Sequence, residues 1–141
     1  MAIEDLGRNG FKLIQPDNCF KLDTAGVLLA WFAASFTRKG KRSKMLDLGS
    51  SAGGCAMLVA ARIADASIDC VEVMKEPYDA LVENIALNNS GDRIKAFNCD
   101  VRELPRELKD SLYDVVFMNP PFYQTDKSVV TDKENVLTAR F

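Results

Sequence analysis

Met45-Leu46-Asp47-Leu48-Gly49-Ser50-Ser51-Ala52-Gly53-Gly54 reads as a short apolar strand opening into a glycine-rich turn. The nearly all-apolar, alanine-rich run 55–64 that follows reads as a helix. Strand, glycine loop and helix in that order open an α/β unit, and the chain repeats the pattern outward from here. Residues 68–73 form a second buried strand; Pro77 then starts a helix with Tyr78, Leu81, Val82 and Ile85 on one face, ending near residues 88–91. Residues 94–98 read as a third strand and, after a polar segment containing Pro105, residues 113–118 as a fourth. Upstream, Asp23 caps a helix over 24–36, with Val27, Leu28, Trp31 and Ala34 on the face expected to pack against the sheet. The alternation implies a parallel sheet, and right-handed crossovers make it doubly wound.

At 141 residues and 48% hydrophobic, the chain has enough apolar surface for one ordinary core, and residues 1–141 read as a single domain. Residues 1–43 read as an N-terminal substrate-side and packing segment, 44–123 as the ligand-binding core and 124–141 as a polar tail. A net charge of −2 gives no general attraction to nucleic acid, so contact with RNA has to use a local patch. The cysteines at 19, 55, 70 and 99 are scattered and histidine is absent, so a zinc site or a Cys-His dyad lacks its parts. Neither metal nor covalent catalysis is expected. The first ten residues are acidic and polar, and the longest apolar stretch is too short to span a bilayer. No membrane contact and a reduced cytoplasmic setting are therefore expected.

The fourth strand runs straight into Asn119-Pro120-Pro121-Phe122. Two prolines remove backbone donors and end the strand, leaving the Asn119 amide and the Pro120 carbonyl free at the sheet edge where α/β proteins bind ligands. A planar amino group suits such acceptors; a plain strand-ending turn is the alternative. In Asp47-x-Gly49-x-Ser51-x-Gly53 the glycines allow a tight turn and close approach of a ligand, and the following helix N-terminus favours an anionic group. A simple strand-to-helix connection has the same outline. Glu72 ends the second strand, where it can accept from ribose hydroxyls, and Asp100 follows the third, where it can accept from an adenine amino group while Val101 packs on the ring. Singly, each is equally a solvated carboxylate; three consecutive strands ending in one are less easily accidental. The basic run Arg38, Lys39, Lys41, Arg42, Lys44 precedes the first strand, at the opposite end of the sheet, and reads as a solvated loop. Val115, Val116, Phe117 and Met118 are consecutive apolar residues, as in a strand covered on both faces. No later stretch supplies a strand beside them, so either the chain is a fragment or that exposed edge is covered by a partner, self-association being one way to cover it.

From residue 11 to residue 140 these features resemble class I S-adenosylmethionine-dependent methyltransferases that act on planar amino nitrogens. Leu13-Ile14-Gln15, Phe20-Lys21-Leu22-Asp23, Leu28-Leu29-Ala30-Trp31-Phe32-Ala33 and Leu87-Asn88 before Arg93-Ile94 resemble the bacterial tRNA1(Val) adenine-37 N6-methyltransferases. The resemblance implies a Rossmann-like doubly wound sheet, here incomplete, of about four strands in the order 3-2-1-4. It implies S-adenosylmethionine as cofactor, with Asp47, Gly49, Ser51, Gly53 and Glu72 around its methionine and ribose parts and Asp100 and Val101 around its adenine. Asn119, Pro120, Pro121 and Phe122 are implied as the catalytic motif, Phe122 stacking on an adenine swung out of the tRNA anticodon loop. Methylation of guanine N2 in rRNA or of a protein glutamine uses the same motif and is the alternative activity. An inactive fragment or interaction module is the alternative without catalysis. Two departures stand out. Ser51 replaces the middle glycine of the family's loop, which is expected to weaken cofactor binding, and the chain stops at Phe141 where family members read on.

Overall fold

The computed structural model describes residues 2–120. Strands β3 (Ser43–Leu48), β4 (Ala66–Val71), β5 (Ile94–Phe97) and β6 (Val115–Met118) form one parallel sheet in the order β5-β4-β3-β6. This is the expected 3-2-1-4 arrangement. Helices α2 (Gly54–Arg62) and α3 (Lys75–Leu87) are the crossovers from β3 to β4 and from β4 to β5. Because both steps go the same way across the sheet, right-handed crossovers put both helices on one face. There Met45, Ile68, Cys70, Ile94 and Phe117 meet Ala56, Met57, Val59, Ala60 and Leu81 in the main core. The return from β5 to β6 reverses direction and uses the other face. A 3-10 turn (Val101–Glu103) and the short α4 (Arg106–Lys109) lie on that path, with Leu108 buried against Leu46 and Val71.

Helix α1 (Thr24–Ser35) starts where expected, the Asp23 carboxylate accepting from the Gly26 N–H at 2.8 Å. Its orientation differs from the sequence expectation. Gly26, Ala30, Ala33 and Ala34 are buried, while Leu28, Trp31 and Phe32 are more than half exposed and Val27 is 40% exposed. The helix is apolar around its whole circumference, so periodicity could not say which side faces inward. Small residues won the inner side because α1 lies close against α2: a β-carbon on Gly26 would sit 3.2 Å from the Cys55 sulfur.

A hairpin that the sequence pattern did not suggest precedes α1: β1 (Ile3–Asp5) pairs antiparallel with β2 (Lys12–Ile14). Three-residue strands carry little periodic signal and are marginal alone. This pair is held by α3. Asn84, fully buried, accepts from the Ile14 N–H at 2.7 Å and donates to the Ile14 and Ala52 carbonyls, each at 2.8 Å. Asn88 repeats the exchange with Lys12 one turn later, accepting and donating at 2.8 Å. Asn84 therefore joins the hairpin to the glycine loop through one side chain. Asn84→Ala strands three buried backbone groups, and we expect it to lower unfolding free energy by about 3 kcal/mol in urea titration. A loss below about 0.5 kcal/mol, the level of an ordinary surface change, would contradict that assignment.

Candidate active site at the carboxyl edge of the sheet

Leu48 is paired with Val71 on one side and with Met118 on the other, while Val71 is paired with Phe97. The residues that follow, Gly49, Glu72, Asn98 and Asn119, consequently emerge side by side at the same edge. The glycine loop is anchored there, with the Gly49 and Ser50 N–H groups both donating to the Val71 carbonyl at 2.9 Å. Gly49 has φ +73° and open space where a β-carbon would stand. Gly53, at φ +91°, caps α2, and a β-carbon there would fall 2.6 Å from Leu81 Cδ1. Only glycine suits that place without displacing Leu81.

Asp47, Gly49, Ser50, Ser51 and Asn119 line one cavity with an empty volume of about 430 Å³. The opposing wall comes from the segment between β2 and α1: Gln15, Phe20, Lys21 and Leu22. Its wall-forming role was invisible to a pattern reading, because those residues sit in an irregular stretch far from the loop in sequence. Asp47 is 3% exposed and its Oδ2 has no hydrogen-bond partner among the described residues. Burial, assisted by the Glu72 charge and opposed by the Ser50 hydroxyl, pushes its pKa up to about 7. A half-neutralised carboxyl group with a spare oxygen suits a ligand that brings a positive charge or a hydrogen-bond donor. Cys55, also in the wall, donates to the Gly26 carbonyl at 3.3 Å. Burial and then the charges of Asp47 and Asp23 push its thiol up to about 12, too high for a thiolate at neutral pH.

Glu72 is buried and braced: Oε2 accepts from the Ser51 N–H and Oε1 from the Met74 N–H, each at 2.8 Å. Asn98, absent from the sequence expectations, donates to the Glu72 and Val73 carbonyls at 2.8 and 3.1 Å and fixes the ends of β4 and β5 together. Asp100 caps the 3-10 turn through the Arg102 N–H, and Arg102 Nη2 lies 2.6 Å from its Oδ2. Those hydrogen bonds lower its pKa to about 2. Val101 beside it is 39% exposed. Glu72, Gly53, Asp100 and Val101 thus stand along the same edge but are not part of the cavity wall. Pro120 is exposed, whereas the motif's Pro121 and Phe122 lie outside the described residues.

A parallel β5-β4-β3-β6 sheet with this loop at its carboxyl edge is the fold of class I methyltransferases. The human methyltransferase 10 domain containing protein superposes with a TM-score of 0.68 at 21% identity, covering 82% of this chain and 56% of that one. TYW2 of P. horikoshii, solved in complex with MeSAdo, does so with a TM-score of 0.55 at 26% identity, covering 69% and 36%. The family model Methyltransferase small domain matches residues 19–139, and the chain belongs to that family. A tRNA1(Val) (adenine(37)-N6)-methyltransferase of Flavobacterium johnsoniae is 34% identical over 131 residues, covering 93% of this chain and 53% of the relative. One from Escherichia coli O157:H7 is 31% identical over 126 residues, covering 84% and 49%. The chain spans about half the length of the curated relatives it matches.

The raised pKa of Asp47 has a thermodynamic consequence. Below its unfolded-state value, near 3.8, the group is neutral in both states; as pH rises toward 7 only the unfolded chain gains the ionised form, so folding loses stability across that window. Asp47→Asn has the same shape without the titration. We expect the variant to gain stability relative to the parent steadily between pH 4 and pH 7 in urea unfolding, the difference levelling above. A difference that does not change with pH would show that Asp47 ionises normally.

Proposed function

We propose that this chain provides the cofactor-binding and catalytic part of an S-adenosylmethionine-dependent methyltransferase. Its substrate would be the exocyclic N6 amino group of adenine 37 in the anticodon loop of a tRNA, in the cytoplasm. The observation that carries the reading is that Asn119 lines the same cavity as Asp47, Gly49 and Ser51, so a strand-end amide faces the glycine loop. The residues fit the cofactor: the unpartnered Asp47 Oδ2 is a ready acceptor for an α-ammonium group. Gly49 leaves its surroundings open for close approach. Glu72, already accepting two backbone N–H groups, keeps lone pairs for ribose hydroxyls. Asp100 and Val101 would take the adenine ring of the cofactor, with Arg102 sharing or releasing the Asp100 carboxylate as it enters. The substrate class is supported by the names of the relatives, tRNA1(Val) (adenine(37)-N6)-methyltransferases.

When bound, S-adenosylmethionine supplies a methyl group already activated on a sulfonium centre, so the protein's task is positioning and electrostatics. Asn119 Oδ1 and the Pro120 carbonyl would accept from the substrate amino group, drawing its lone pair out of ring conjugation and toward the methyl carbon. Asparagine takes up no proton; it orients the amine and stabilises the positive charge that develops on nitrogen, and solvent receives the proton afterwards. Phe122, with Pro121, would complete the motif by stacking on the target base. Asn119→Ala is expected to lower the single-turnover methylation rate by about a hundredfold or more. Cofactor affinity, read by calorimetry, should stay within about twofold, since each 1.4 kcal/mol is tenfold in binding. Equal losses in both would assign Asn119 to cofactor binding instead.

A second reading, self-association, is favoured by the β6 edge. Among the described residues no strand lies beyond β6, Val116 is 54% and Met118 43% exposed, and the outer side of α1 is apolar. A second copy related by a two-fold axis normal to the sheet would pair β6 with β6 antiparallel and continue the sheet across both chains. That arrangement also sets the two α1 helices on the same face of the joined sheet. Sedimentation velocity is expected to show a dimer that Val116→Lys converts to monomer; a parent chain monomeric at all concentrations would dismiss this reading.

A further inference from the structure

The segment over residues 15–22 is a strap of irregular backbone, and three of its anchors bear on the cavity wall. Gln15, 8% exposed, accepts from the Leu22 N–H at 2.6 Å through Oε1 and donates through Nε2 to the Glu4 carboxylate, 3.2 Å from each oxygen. The Leu22 side chain fills the notch between two helices: β-carbons placed on Gly26 and Gly54 would meet it at 2.8 and 3.0 Å. The third point is Ser51, whose hydroxyl donates to the Phe20 carbonyl at 2.8 Å. Strap and loop together enclose the cavity in which Asp47 and Asn119 stand.

Ser51 has φ +51°, a left-handed conformation uncommon for a residue with a β-carbon. Such a conformation persists where surrounding contacts over-determine it, and here both ends of the residue are engaged. Its N–H is taken by the buried Glu72 carboxylate and its hydroxyl by the strap. A glycine would adopt the same backbone without strain and keep the bond to Glu72. What serine adds is the hydroxyl, and among the described residues the hydroxyl bonds to the strap. The expectation that Ser51 weakens cofactor binding takes no account of this contact with the strap.

We propose that Ser51 is a positioning residue, a latch that fastens the strap over residues 15–22 onto the glycine loop and so holds the outer wall of the ligand cavity in place. For the cofactor this rests on the function proposed above: with the latch closed, Phe20, Lys21 and Leu22 confine the amino-acid end of S-adenosylmethionine against Asp47, and without it that end is held less tightly. The latch itself is a property of the ligand-free chain and can be read without any ligand.

The test uses the parent chain with Ser51→Ala, which keeps the β-carbon and removes the hydroxyl, and Ser51→Gly, which removes both the hydroxyl and the backbone strain. Hydrogen–deuterium exchange on the ligand-free proteins should show faster exchange in peptides covering residues 16–22 in both variants, with β3 and β4 unchanged. Calorimetric titration with S-adenosylmethionine should then show affinity reduced about fivefold in both, the equivalent of one ordinary hydrogen bond. Unaltered exchange in the strap of either variant would overturn the latch. A Ser51→Gly chain that binds the cofactor as tightly as the parent or tighter would overturn its role in binding. Failure of the parent chain itself to bind the cofactor would instead strike the proposed function, while the exchange measurement would still decide the latch.

Discussion

The site depends first on β3 being paired in parallel on both sides, with Leu48 level with Val71 and Met118. Parallel pairing makes all three strands point the same way, and equal register makes them stop together. Side chains that follow the strands are thereby delivered to one line without any loop having to travel. A slip of one residue in β6 would turn Phe117 out of the core and Val116 in, so the hydrophobic alternation and the placement of Asn119 are set by the same contact. The glycine loop takes its position from this edge too, because the Val71 carbonyl that β4 leaves free accepts from Gly49 and Ser50.

Around that edge the protein holds polar groups in places where burial makes them costly. Asp47 is the extreme case: it sits on the helix-covered face, beneath the loop, with one oxygen unpartnered and its pKa raised to about 7. Asn84 shows the opposite solution, a buried amide with every strong partner supplied by backbone. Both are buried polar residues, and they differ in how far the described residues satisfy them. A satisfied group specifies one packing, here the hairpin against α3; an unsatisfied one keeps capacity for something that is not protein.

Strand order, the α1 cap and the residues at the strand ends were legible in the sequence because each rests on local chemistry. Apolar runs bounded by Gly49, Pro77 and Pro120 announce strands and their limits, and Asp23 announces a helix start. Three features were not legible, for related reasons. The β1–β2 hairpin gets its order from Asn84 and Asn88, about seventy residues away in sequence. The inner side of α1 was misassigned because every side of that helix is apolar, leaving only close contact with α2 to select the small residues. The strap was not recognised as a wall because its anchors, Gln15 to Leu22 and Ser51 to Phe20, are made by side chains to backbone across irregular chain. Patterns report what a segment does with its neighbours in sequence; these features are decided by neighbours in space.

The large residues turned outward on α1 and β6 follow from the same topology. Reversal at β3 places α2 and α3 on one face and, among the described residues, α4 and a 3-10 turn on the other, so Leu46 and Val71 are buried there while Val116 and Met118, one strand further out, are not. Curated relatives carry about as much chain again outside the matched part. A half-sheet of this kind can close its core because its central strand has neighbours on both sides, but its outermost strand has apolar residues on a face that nothing described here covers. Asn119 and Pro120, the start of the motif proposed above to act on the substrate, follow that edge strand. Among the described residues, the strand that delivers Asn119 pairs with β3 on one side and with no strand on the other. Under the function proposed above, the residues given to the cofactor's methionine and ribose parts follow the interior strands β3 and β4, whereas Asn119 follows an edge strand of the described sheet, so the two halves of the proposed site rest on unequal support.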